Sequence, residues 1–243
     1  MFSFVSFSQE AYIPGYKPDP KVIRSAMLPP SRFGKLLFDL FEYYPTSEDK
    51  EARYDIEFWF GGDFNRLYVE TEGEHSFKDS SGSLERLDLY YGRLISSFWD
   101  ARIGVGTQSV YGDNSESRNY VVAGFQGLAP YWFEVDANLR FDSKGKITAD
   151  LEAEMDILFT QRLILQPRFE TLFAFSDIEE LGRGSGLNSV ELGLRLRYEI
   201  RREFAPYIGV NWVRHFGKTA DLLEVGGEDT NRLDLAIGLR MWF

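Results

Sequence analysis

The chain contains no cysteine in its 243 residues and only two histidines, His75 and His215. Without thiols there is no disulfide framework and no thiolate metal site. Neither histidine sits in a His-Glu-x-x-His pattern, and no Gly-Lys-Ser/Thr phosphate loop is present. Basic charge is short as well: 27 Lys and Arg stand against 38 Asp and Glu, a net charge of −11. That balance argues against nucleic acid, whose binding needs clustered cations. Long apolar runs are also missing. A membrane-spanning helix needs about 18 such residues. The longest charge-free run from residue 33 onward, Asn119 to Phe133, is shorter and is broken by Gly124, Gly127 and Pro130. The opening Met1-Phe-Ser-Phe-Val-Ser-Phe-Ser-Gln9 has no basic n-region, so it reads as the start of a mature or trimmed chain rather than a signal peptide.

What is present is a mixture that needs explaining. Phe (21), Tyr (13), Trp (5) and Gly (22) are abundant in a chain whose mean hydropathy is only −0.29. Period-two alternation accounts for it. Val190 to Ile200 sets Val190, Leu192, Leu194, Leu196, Tyr198 and Ile200 on one face, against Glu191, Gly193, Arg195, Arg197 and Glu199. Ala149 to Ile157 opposes Leu151, Ala153, Met155 and Ile157 to the acidic row Asp150, Glu152, Glu154 and Asp156. Twelve such segments are expected, at about 33–44, 52–61, 64–76, 83–95, 98–110, 117–128, 132–142, 146–158, 162–174, 187–200, 204–216 and 232–243. Their connections alternate between short turns and longer polar loops, including 217–231, as in an even-stranded outer-membrane barrel.

A soluble sandwich or propeller would also alternate, so periodicity alone leaves it open. Segment length favours the membrane, because ten or more residues exceed the usual strand and suit a tilted span of the bilayer. Aromatics also gather at segment ends (Tyr43, Tyr44, Phe98, Trp99, Tyr131, Trp132, Phe204, Trp242, Phe243), as an interfacial girdle requires. The expected fold is all-β: a twelve-stranded antiparallel up-and-down transmembrane barrel over residues 33–243. Residues 1–32, broken by Pro14, Pro18, Pro20, Pro29 and Pro30, form a short irregular N-terminal segment, linker or plug.

With the apolar face in lipid, the charges fall in a lumen. Arg168, Glu170, Arg195, Arg197, Glu134 and Asp136 are expected to form lumen ion pairs, together with Asp55, Glu57, Arg66, Glu70, Glu72, Arg86, Asp88, Arg102, Arg140 and Asp234. The row Asp150, Glu152, Glu154 and Asp156 offers a cation path, unless arginines such as Arg162 and Arg168 neutralise it. Candidate metal ligands are sparse: His75 beside Glu74, His215, and Met27 as a soft ligand for Cu(I). No catalytic set is expected. His215 has no serine close in sequence, and Ser76 follows His75 directly, which on a strand turns it to the opposite face.

Several strings are distinctive: Gly61-Gly-Asp-Phe-Asn-Arg-Leu67, Glu70-Thr-Glu-Gly-Glu74, Gly127-Leu-Ala-Pro-Tyr-Trp-Phe-Glu-Val-Asp136, Leu163-Ile-Leu-Gln-Pro-Arg168, Gly184-Ser-Gly-Leu187 and the stretch Glu191 to Gly209. Over residues 33–243 the chain resembles the C-terminal domain of the copper resistance protein B family. The resemblance implies a Gram-negative outer-membrane barrel that binds, sequesters or exports copper ion. It also implies that the barrel works alongside a periplasmic multicopper oxidase. Family members carry a long Met- and His-rich region before the barrel. Here only Met1 and Met27 precede residue 33, so no family copper ligand is carried over. A monomer in contact with outer-membrane lipid is expected, without enzymatic activity. A twelve-stranded lipid hydrolase and a structural barrel with a blocked lumen stand as the alternatives.

Overall fold

In the computed structural model the described residues are 32–45, 50–78, 81–111, 116–178 and 181–243. Met27, and residues 1–31 as a whole, lie outside them.

Thirteen β-segments follow in chain order. They are β1 (Phe33–Tyr44), β2 (Glu51–Gly61), β3 (Asn65–Ser76), β4 (Gly82–Ser96), β5 (Trp99–Tyr111), β6 (Glu116–Ala129), β7 (Phe133–Asp142), β8 (Ile147–Glu154), β9 (Ile157–Leu158), β10 (Leu163–Ala174), β11 (Gly186–Tyr198), β12 (Phe204–His215) and β13 (Asn231–Trp242). Each pairs antiparallel with its chain neighbours, except that β8 and β9 both pair with β10 and not with each other, and β13 pairs with β1, so the sheet closes on itself. Closure leaves no edge, which is what hydrocarbon demands of a sheet. At the seam Leu36 and Phe243 exchange backbone hydrogen bonds of 2.9 and 2.8 Å.

β8 and β9 are two pieces of one span, so the wall has twelve positions. The expected continuous strand 146–158 is interrupted at Met155 and Asp156, opposite Gln166 and Pro167. Pro167 faces this gap with no N–H to donate, while its carbonyl accepts from the Met155 amide at 3.3 Å.

Burial is inverted relative to a water-soluble protein. Ile103, Val105, Ile208 and Ile237 are exposed on the outer surface, whereas Arg195, Arg197 and Asp88 are fully buried within. Not every aromatic faces lipid, however. Tyr68, Tyr90, Tyr120 and Val122 form a buried cluster on the lumen side, with Trp59 against it. Their hydroxyls explain the placement. Tyr90 and Tyr120 donate to Asp88 at 2.8 and 2.6 Å, and Tyr68 donates to Asp100 at 3.0 Å.

Short turns mark one end of the barrel, which in outer-membrane barrels is periplasmic; longer loops mark the other. One of these loops is not irregular. Residues Gly217–Gly226 form helix α1, closed by Gly227 in the left-handed region (φ 79°). The Gly227 and Glu228 amides then bond back to Glu224 O and Leu223 O. Thr219 anchors the helix to the wall, its Oγ1 accepting from Asn188 Nδ2 (2.5 Å) and from the Gly184 amide (3.0 Å). No helix among the described residues is long and apolar enough to cross a membrane, which has no bearing on crossing by strands.

Candidate functional site: the charged lumen

The wall register places acids directly beside acids. Asp136 lies opposite Glu152, Glu152 opposite Glu170, and Glu170 opposite Glu191, a belt across β7, β8, β10 and β11. On the other wall Glu57 lies opposite Glu70, and Glu70 opposite Asp88. Like charges at such positions destabilise a sheet unless something neutralises them. Arginines do so, several of them from the far side of the barrel.

Three arginines organise the centre. Arg53 reaches Glu72 at 2.6 Å, Glu170 at 3.0 Å and Glu191 at 2.5 Å. Arg86 reaches Asp55 at 3.0 Å, Glu72 at 3.2 Å and Glu152 at 3.9 Å. Arg168 reaches Glu170 at 2.5 Å, Glu152 at 2.9 Å, Asp55 at 3.2 Å and Asp39 at 3.5 Å. Read in order, Arg53, Glu72, Arg86, Asp55, Arg168 and Glu170 close a ring of alternating charge. The contacts of Arg53 with Glu170, and of Arg168 with Asp55, join strands separated by four others along the shorter way around the wall. The ring therefore crosses the lumen.

Around it sit further pairs. Arg102 bridges Glu70 and Asp136, and its guanidinium lies 4.4 Å from the Tyr90 ring centre. Arg140 joins Asp88 (3.1 Å) and Asp150. Arg195 holds Glu42 at 2.6 Å, Arg197 holds Asp156 at 2.6 Å, and Arg240 holds Asp39 at 2.6 Å. Of the acidic row, Asp150, Glu152 and Asp156 each meet an arginine, and Glu154 accepts from Gln166 Nε2 at 2.8 Å. Arg162 makes no ion pair with the row among the described residues; the arginines come from β4, β7, β10 and β11. Glu134 lies opposite Glu154 and forms no ion pair among the described residues.

The two histidines do not meet. His75 points outward and packs against Phe77 and Tyr111, with ring centres 5.2 and 6.1 Å away. His215 points into the loop end of the lumen, and its Nδ1 has no hydrogen-bond partner. Among the described residues no three His, Asp or Glu side chains gather in a way that would hold a metal ion.

The geometry is that of a lumen lined with carboxylates and stitched by arginine. A model of the copper resistance protein B precursor family matches residues 32–243 of this chain. The chain belongs to that family.

Among its relatives are copper resistance protein B of Escherichia coli and a homolog from Pseudomonas syringae pv. tomato. The first is 39% identical over 208 residues, covering 86% of this chain and 69% of the relative. The second is 37% identical over 207 residues, covering 84% and 68%. Solved barrels share the fold. The NanC porin superposes with a TM-score of 0.53 at 12% identity, covering 86% of this chain and 99% of the porin. Outer membrane phospholipase A from Escherichia coli gives 0.50 at 12% identity, covering 86% and 92%. At such identities the likeness concerns the fold alone. Family and fold together place the protein in the bacterial outer membrane, with a role in copper resistance.

The lumen also holds Arg53, Arg240, Asp39 and Glu42. Arg53 and Arg240 sit on alternation that reads plainly, as Arg53-x-Asp55-x-Glu57 and Asp234 to Arg240. Asp39 and Glu42 were hidden because β1 carries a register shift between Phe38 and Leu40, which breaks period two.

Proposed function

We propose that the barrel serves copper resistance by taking copper ions onto its lumen carboxylates and holding them at, or passing them across, the outer membrane. The observation that supports this is the excess of acid. In the central network three arginines, Arg53, Arg86 and Arg168, share Asp55, Glu72, Glu152, Glu170 and Glu191. The row Asp150, Glu152, Glu154 and Asp156 continues the same chemistry toward the turn end. Imidazole suits copper, and Cu(II) stands highest among first-row divalent ions at most oxygen and nitrogen sites. His215, facing the lumen with a free Nδ1, is the imidazole placed to add to such a path. His75 at the outer rim and Met27 outside the described residues are the remaining candidate ligands. A periplasmic multicopper oxidase is the proposed partner at the turn end.

The test compares copper tolerance and periplasmic copper in cells with and without the protein. It adds metal content of the purified barrel for the wild type, Glu152→Gln with Glu154→Gln, and His215→Ala. Equal tolerance with equal copper content would overturn the proposal. The lipid-hydrolase alternative draws no support from the histidines. His215 faces the lumen, and the serine next to the outward His75 turns inward.

A further inference from the structure

We infer that Arg53 and Arg168 are latches that hold the lumen shut, and that releasing them opens a cation-selective path along the acid belt. The inference rests on the lumen being the copper-handling part of the barrel. It concerns how that lumen opens.

Barrel arginines differ in how far they reach across the lumen. Arg118 bonds Asp142 on the adjacent strand at 2.8 Å, so its pair lies flat within the wall. Arg53 and Arg168 instead carry contacts from β2 to β10 and β11, and from β10 to β1 and β2. These bonds tie opposite walls. The wall does not depend on them, because apart from the two-residue β9 every strand is held by its own ladder of backbone hydrogen bonds on both sides. A swing of these two side chains would therefore break the ties of β2 to β10 and β11, and of β10 to β1, without unzipping the barrel, while Arg86 stays on Asp55 and Glu72 and keeps its 3.9 Å contact with Glu152.

What remains after release is decided by the register. Asp136, Glu152, Glu170 and Glu191 lie side by side on four adjacent wall positions, and the arginines are their present counter-ions. Once Arg53 and Arg168 leave, mobile cations take their place, and a passage lined with carboxylates selects cations over anions. The ring is not a dry plug. Arg168 is enclosed, at 2% exposed, but the Glu152 and Glu170 side chains are each 20% exposed and Arg53 12%, so water already reaches Arg53 and these two acids. That lowers the cost of parting them relative to a sealed pair.

The test is single-channel conductance of the purified full chain in planar bilayers under a KCl gradient. Each variant is first shown to be folded by its heat-dependent gel shift. Arg53→Gln and Arg168→Gln should raise conductance at least about tenfold, the change that about 1.4 kcal/mol of barrier produces. Their reversal potentials should move toward that of K⁺. Arg118→Gln, a wall pair, should behave as wild type. Should Arg53→Gln fail to fold, Glu170→Gln with Glu191→Gln removes the cross-lumen ties of Arg53 while leaving Glu72 to hold it. It should raise conductance as well, with weaker cation selectivity because two of the four belt carboxylates are gone. Folded latch variants that stay as closed as wild type, or an Arg118→Gln that opens as widely, would overturn the latch. Latch variants that conduct K⁺ without altering copper tolerance would uphold the latch and count against the copper reading.

Discussion

Arg195 grips Glu42 with two hydrogen bonds, Nε to Oε1 at 2.6 Å and Nη2 to Oε2 at 3.1 Å, and both residues are almost completely buried. The pair ties β11 to β1 past β12 and β13, and Tyr44 adds a hydroxyl to Glu42 at 2.5 Å. Breaking a buried pair strands a charge, at about 3–5 kcal/mol. Arg195→Met alone should therefore lower the stability of the refolded barrel by that order in urea titrations. Arg195→Met with Glu42→Leu should recover most of the loss. If the double variant is no more stable than the single one, the stranded carboxylate is not the cause.

Val105 lies midway along β5 on the outer surface. Lipid-face arginines at the bilayer midplane cost about 2–4 kcal/mol. Val105→Arg should show that penalty in unfolding from lipid vesicles. An unchanged midpoint would mean that this face does not meet hydrocarbon.

Next to it, Gly106 faces the lumen. A β-carbon there would collide with Asp88 Oδ1 and come 2.8 Å from the Tyr120 ring. Asp88 cannot move aside, since Tyr90, Tyr120 and Arg140 all donate to it. Gly106→Ala should cost about 1–3 kcal/mol by overpacking. A neutral result would show that Asp88 has room to shift.

Outside the membrane, Asp177 receives the Lys218 ammonium at 2.5 Å and the Ser185 amide at 2.8 Å, and these hold its carboxyl below the ordinary carboxylate value. A depressed folded-state pKa means that the contact's stabilisation is complete above the ordinary value of 3.8 and is lost as pH falls through the lowered one. Lys218→Met should move the Asp177 titration upward in an NMR pH series. No movement would assign the depression to Ser185 alone.

The barrel itself was legible because lipid and lumen impose opposite demands on successive residues. Val190 to Ile200 displays both faces in eleven letters, and β11 runs as that pattern requires. The row Asp150 to Asp156 was legible as lumen-facing for the same reason. Its neutralisers were not, since of them only Arg168 is an expected partner of the row. Arg140 and Arg197 reach it from strands whose register no single segment reveals. The inward tyrosines share the alternation of lumen charges, Tyr68 with Arg66 and Glu70 and Tyr90 with Arg86 and Asp88, but only the structure shows that Asp88 and Asp100 receive the hydroxyls of Tyr68, Tyr90 and Tyr120.

By itself the sequence determined the number and order of the spans and the facing of those without a bulge, because alternation and turn chemistry are local properties that each segment carries alone. Only the tertiary structure decided that the lumen is crossed. Arg53 meets Glu170 and Glu191 across more than a hundred residues of chain, and Arg168 meets Asp55 in the same way. Those meetings depend on closure, register and a lumen narrow enough for opposite side chains to touch, and these are properties of the whole ring.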